Sequence, residues 1–208
     1  MDGIRIDTVA PVVSIGGVTD GAVYELGAAP APTCSATDGT SGLAGSCTGQ
    51  RSGGTPGGVG TFTYTATATD RAGNTGTASA TYTVRYAMTD PVFLEPVSAP
   101  GHQGGSSTAV FKAGQTIPVK FQLHDAAGEL VKAGSAPRWM APQRTGATGA
   151  AVNADALEDG LTSGDTYTLQ GQQYQYNWKT DKAMAGSAWR IGVSLDDGQT
   201  YYVTVGLR

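Results

Sequence analysis

The sequence predicts an all-β protein made of two tandem β-sandwiches. Three observations carry that reading. Glycine supplies 31 of the 208 residues, roughly twice its usual ~7% share, alongside abundant Thr, Val and Tyr. That is the composition of short strands joined by tight turns. Apolar residues recur with period two in several runs, the periodicity of strands with one face in a core. Between two such groups lies "RYAMTDPVFLEPVSAPG", in which Pro91, Pro96 and Pro100 supply no N–H to a central ladder. This stretch reads as an interdomain crossing or an edge, and it divides the chain into residues 1–88 and 89–208.

In the first part, "PVVSI", "AVYEL" and "APTCSATD" are short strand candidates between Gly-rich turns. Phe62, Tyr64, Ala66 and Ala68 then alternate with threonines, and Ala80, Tyr82, Val84 and Tyr86 repeat the pattern after "DRAGN". Two alternating runs around a tight connection predict an antiparallel pair, with Asp70 and Asn74 bonding their own turn backbone.

In the second part, Ile117, Val119, Phe121 and Leu123 alternate with Pro118, Lys120, Gln122 and His124. Tyr174, Tyr176 and Trp178 share one face of a further strand. Trp189, Ile191, Val193 and Leu195 match Tyr201, Val203, Val205 and Leu207 across Asp197-Gly198, a strong turn signal. "NADALEDGL" is the one helical candidate.

The first part, through "APVVSI", "CSATDGTSGLAGSC" and "GTFTYTATATDRAGNTGTASATYTV", resembles the bacterial immunoglobulin-like modules strung along secreted actinobacterial proteins. The likeness covers residues from about 9 to 86. The second part, from about residue 92 to 208, resembles the PxKF domain, a C-terminal module of secreted bacterial proteins; Pro118, Val119, Lys120 and Phe121 supply its signature. The resemblances imply two immunoglobulin-like sandwiches near the end of a larger secreted protein, and they bring no assigned activity. Many PxKF relatives carry a cysteine where this chain has Ser187 and Ala188, so a second disulfide is not expected.

A net charge of −4 without any Lys/Arg cluster argues against nucleic acid as a partner. No run of about 18 apolar residues exists to span a bilayer. "MDGIRIDTVAP" lacks the apolar core of a signal peptide, and the preferred expectation is a piece of a longer secreted or cell-surface protein whose partners are its own upstream domains. Cys34 and Cys47 lie thirteen positions apart across a Gly-rich loop. A bond between them would contribute ~3 kcal/mol in the chain-entropy model and favours an oxidising compartment. Two unrelated buried thiols are the competing reading, and zinc is disfavoured because no second ligand pair lies nearby.

Catalytic signals are thin. His102 sits in a Gly-rich stretch and His124 at a strand end, and no nucleophile elbow, HExxH or phosphate loop occurs. The pairs Glu158-Asp159 and Asp196-Asp197 read as turn chemistry. Lys120 shares its strand face with Gln122 and His124, away from the apolar set, and therefore reads as solvated rather than as an isopeptide donor. Asp7, Asp20, Asp38, Asp70 and Asn74 on loops and Asp90 at the domain junction, with Asp7, Asp70 and Asp90 foremost, offer hard oxygen donors for a structural calcium ion, against the simpler account of side chains capping their own turns. Trp139, in proline-flanked "APRWMAPQ", and Tyr202, adjacent to Tyr201, are the rings expected to reach solvent. They are the candidate contacts for polysaccharide or cell wall, since exposed rings stack on sugar faces. No other cofactor is implied. The expected role is a non-catalytic accessory region serving as spacer, presenter or anchor, with carbohydrate binding as the alternative.

Overall fold

The computed structural model describes residues 6–88, 92–98, 109–147, 158–159 and 164–208. The protein is all-β: among the described residues the one helical element is a 3₁₀ turn, Lys182–Met184. Two compact units divide at Arg85/Tyr86.

The first unit opens with β1 (Val12–Gly16), β2 (Val23–Glu25) and β3 (Thr33–Thr37), and continues with β4 (Thr48–Gly53), β5 (Gly60–Thr69) and β6 (Thr75–Arg85). One layer is the sheet β2-β6-β5-β4 and the other is the pair β1-β3. The long hairpin follows from sequence alternation. Phe62, Tyr64, Ala66, Ala68, Ala80, Tyr82 and Val84 all point inward and are buried. The threonines between them pair across the outer face, Thr63 with Thr81 at 3.2 Å and Thr69 with Thr75 at 3.2 Å. β2 joins the last strand in parallel, Val23 opposite Thr83 and Glu25 opposite Arg85. A Cys34–Cys47 disulfide ties β3 to the start of β4; the two-thiol alternative is set aside.

The second unit contains β7 (Ala109–Phe111), β8 (Thr116–Phe121), β9 (Leu123–His124), β10 (Leu130–Val131) and β11 (Arg138–Ala147). It continues through β12 (Glu158–Asp159), β13 (Thr168–Gln170), β14 (Gln173–Lys179), β15 (Ser187–Ser194) and β16 (Thr200–Leu207). Sheets β12-β11-β15-β16-β7 and β13-β14-β8 form its main layers, and β9-β10 is a short ribbon. The sheets meet through rings: Trp139 of β11 stacks on Tyr176 of β14 with centroids 4.0 Å apart. Trp178, Phe121, Ile191, Val193, Val205 and Leu207 complete a core closed to solvent. β7 pairs in parallel with the final strand, Ala109 opposite Val205.

Three expectations need correction here. The units divide at 85/86, three residues before the expected 88/89, and the proline-rich stretch read as a crossing or edge packs into the second unit where it is described. Phe93 and Val97 are buried, Phe93 bridges Phe121, and the Leu94 N–H donates to the Lys120 carbonyl at 2.8 Å. Tyr86 is clamped onto the β15–β16 turn: its N–H donates to Asp197 Oδ2 at 3.1 Å and its hydroxyl to Asp196 Oδ1 at 3.0 Å. Asp197 also accepts from Gln199 N–H, so the Asp196-Asp197 pair is engaged in turn chemistry. Second, residues 158–159 of the helical candidate form strand β12, and the rest of that stretch lies outside the described residues. Third, Trp139 is in a strand and buried, as detailed below.

Candidate functional site

The strongest candidate surface is the outer face of the five-stranded sheet. Alternation along β15 and β16 sends Trp189, Ile191, Val193, Val205 and Leu207 into the core and turns Arg190, Gly192, Tyr202 and Thr204 outward. Register places Tyr202 opposite Gly192 and Thr204 opposite Arg190, while β11 contributes Met140 beside Gly192 and Gln143 beside Arg190. Gly192 lets the tyrosine lie close to the sheet: a Cβ there would sit 2.6 Å from the Tyr202 ring and 2.5 Å from the Tyr201 carbonyl oxygen. The Arg190 guanidinium lies 4.4 Å from the Tyr202 ring centroid and donates to Gln143 Oε1 at 2.6 Å. Tyr202 is nevertheless 44% exposed. The result is a ring braced by a cation, with amide and hydroxyl groups alongside. That is chemistry able to stack on a sugar and bond its hydroxyls.

Trp139 does not join this surface. It lies in β11 opposite Val193 of β15 and is 6% exposed, which corrects the expectation of an exposed loop ring. Pro137 precedes the strand. Pro142 falls where the register shifts between Met140 and Gln143, a bulge that tolerates a residue without an N–H. The two prolines thus flank a strand residue instead of marking a loop.

The first unit gathers carboxylates. Asp7 and Asp70 come together with Asp38, one ligand atom of each lying within 4.8 Å of the others; Asp90 lies outside the described residues. Calcium takes six to eight oxygens, but most of these oxygens already accept N–H groups. Asp7 receives Val9 at 2.9 Å and Ser41 at 3.0 Å. Asp38 Oδ1 receives Thr40, Ser41 and Gly42. Asp70 is 1% exposed and receives both the backbone and side-chain N–H of Asn74, each at 2.8 Å. The Asn74 amide also donates to the carbonyls of Asp7 at 3.2 Å and Val9 at 3.5 Å. The Asn74 NH₂ group thus lies where Asp70 and these carbonyls converge, and the bonds tie three loops together. Asp38, a loop oxygen donor the sequence also offered, completes the group. Its bonds are local, but its neighbours come from far along the chain.

These bonds set the protonation behaviour. The Val9 and Ser41 donors hold the Asp7 carboxyl below its ordinary value. Burial alone would raise Asp70, but the Asn74 donors and the adjacent turn N–H groups outweigh it and leave Asp70 lowered. Both contributions are present above the unfolded carboxyl value of ~3.9 and are lost as pH falls through the lowered folded values. Asp197 in the second unit has the opposite sign. Burial raises it against its N–H donors, so its charged form costs stability above the raised value, and acid relieves that cost. Calorimetry of the full chain is expected to show the first unit's transition dropping more steeply than the second's below about pH 4. The Asp7→Asn/Asp70→Asn double variant should flatten that drop; an unchanged acid slope in the variant would remove these two groups from the account.

Lys120 lies on the half-exposed side of β8 opposite Gln175, between buried Val119 and Phe121. No carboxylate is within ion-pair distance of it among the described residues. His124 is half-buried rather than on an open face, and its Nε2 has no hydrogen-bond partner among the described residues. His102 lies outside them. No helix among the described residues is long and apolar enough to cross a membrane.

No family model and no curated protein matches the chain. Among solved structures it is similar to Bacteroides ovatus SGBP-B, of a mixed-linkage glucan utilization locus, in complex with a mixed-linkage heptasaccharide. The identity is 12% and the TM-score 0.25, over 97% of this chain and 48% of that one. The chain thus spans about half the length of that protein, and its functional reading rests on its own residues.

Proposed function

We propose that this chain is a non-catalytic accessory region of a larger secreted or cell-surface bacterial protein, acting as a mechanically firm spacer for domains upstream in the same polypeptide. The observation that carries this reading is that each unit closes on a parallel pair between an early strand and its last strand, β2 with β6 and β7 with β16. Tension applied at the chain ends pulls such strands in opposite directions along their length. The ladder bonds are then loaded together in shear, whereas an end-loaded antiparallel hairpin opens one bond at a time. The first ladder extends beyond the strand proper, through Gly21 N–H to the Thr81 carbonyl and Leu26 N–H to the Arg85 carbonyl. The Cys34–Cys47 bond, between residues thirteen apart, supports an oxidising location.

Single-molecule stretching of the full chain tests the proposal. Forced unfolding reads the unfolding barrier, so two discrete, resisted events are expected. Reductant should lengthen the first unit's extension by the loop that the disulfide encloses. Smooth extension without resisted events would defeat the spacer reading.

A second reading is favoured by the braced, exposed Tyr202: polysaccharide contact on the outer sheet face. Its test is paired with that of Trp139 in the Discussion.

A further inference from the structure

The first unit has a cleft that neither reading uses. Its minor layer holds only β1 and β3, too few strands to cover the inner face of a four-stranded sheet. Beyond them the cover is a loop, and between that loop and the sheet lies a cleft of about 350 Å³, within the ~300–1,000 Å³ range of small-molecule sites. Leu26, Pro30 and Pro32 form one wall, Tyr82 and Val84 the floor, and Arg51 the opposite side.

Two residues with polar ends line this mixed polar and apolar space, Arg51 and Tyr82. Arg51 pairs with Tyr64 in the β4–β5 register, so it belongs to the inward-facing row of an edge strand. The other members of that row are Gly49 and Gly53. At Gly49 a Cβ would sit 1.8 Å from the Tyr64 hydroxyl, so that row has little space for further side chains. The Arg51 guanidinium rests 4.9 Å from the Phe62 ring centroid, and among the described residues no carboxylate pairs with it. Tyr82 is 2% exposed. Its ring is held by Phe62 at 5.6 Å and Tyr24 at 5.9 Å, and its hydroxyl has no hydrogen-bond partner among the described residues. In a chain of net charge −4, the one charged residue lining this cleft is a cation.

We propose that the cleft binds a compact apolar molecule bearing a carboxylate, with Arg51 pairing to the carboxylate and the Leu26–Pro32 wall enclosing the apolar body. Guanidinium and carboxylate match as a planar two-bond fork, and the Tyr82 hydroxyl supplies one further donor or acceptor. The cation–π contact keeps the guanidinium positioned before the ligand arrives.

The test is an amide ¹⁵N–¹H titration of the full chain with phenylacetate, and with phenylacetamide as the uncharged control. Saturable shifts are expected at Leu26, Gly27, Ala29, Ala31, Arg51, Gly58 and Tyr82, with phenylacetamide about tenfold weaker because one charge-assisted pair is lost. Arg51→Gln, a change on an exposed side chain that leaves the rest of the spectrum in place, should remove the preference for the acid. Tyr202→Ala should leave it intact. Equal binding of acid and amide, an unchanged preference in Arg51→Gln, or no saturable shift at millimolar phenylacetate would each overturn the proposal. The last result would leave Arg51 as a charge guarding an edge strand.

Discussion

Trp139→Ala is expected to destabilise the second unit by about 3–5 kcal/mol, the range for removing a large buried ring. The indole is 6% exposed and lies nearly parallel to Tyr176, the planes 9° apart at a centroid distance of 4.0 Å. Tyr167 and Trp178 flank it at 5.8 Å and 6.4 Å. Alanine would leave a void between the two sheets, and aromatic stacking would be lost beyond the area term. Tyr202→Ala removes a ring of similar size from the outer face, where it loses chiefly its Arg190 contact, worth about 1 kcal/mol or less at an exposed site. Denaturant unfolding of both variants should separate them clearly. Pull-down on insoluble polysaccharide then gives the functional half: if the outer face binds glycan, Tyr202→Ala loses retention while keeping its unfolding midpoint. Retention unaffected by Tyr202→Ala would remove that face as the contact. A small stability loss in Trp139→Ala would contradict the buried stack.

What was legible in the sequence was whatever repeats locally. Alternation at Phe62–Ala68 and Ala80–Tyr86 specifies the β5–β6 hairpin, and Asp197-Gly198 fixes the β15–β16 register, because period two and turn chemistry are properties of neighbours along the chain. Prolines were harder to read. Pro137 and Pro142 suggested a loop around Trp139, although a bulge accommodates the second of them within the strand. The prolines near residues 91–100 suggested a crossing, although Phe93 and Val97, four positions apart and both apolar, are buried in the second unit. The adjacency of Tyr201 and Tyr202 required one ring to face outward, and pairing of Tyr201 with core Val193 decides which. The loop knot was only half legible. Asp7 reaches Ser41 across 34 positions and Asn74 reaches Asp7 across 67, so spacing gives no hint that these groups meet. The short β2 offered no sign of its parallel partner, since parallel pairing is a long-range choice.

Phe121→Ala and Lys120→Gln, at adjacent positions of β8, are expected to differ by nearly the whole cost of a cavity. Phe121 is fully buried, stacked on Tyr174 at 5.2 Å and edge-on to Tyr167 at 4.9 Å. Its loss should cost about 3–5 kcal/mol. Lys120 points to the other side of β8, half-exposed, and glutamine there should change stability by about 0.5 kcal/mol, as surface changes do. A second readout separates these roles from a general loosening. The Leu94 N–H donates to the Lys120 carbonyl, a backbone bond that Lys120→Gln leaves in place, while Phe93 packs at 6.3 Å against the Phe121 ring. Hydrogen exchange at Leu94 should therefore accelerate in Phe121→Ala and stay near wild type in Lys120→Gln. Intact mass adds a third check, because a lysine engaged in an isopeptide link would leave the chain lighter by one ammonia or one water. If that deficit appears, or if Lys120→Gln unfolds the unit while Phe121→Ala does not, the strand is displaced by one residue. Every side chain from Thr116 to Phe121 would then change faces.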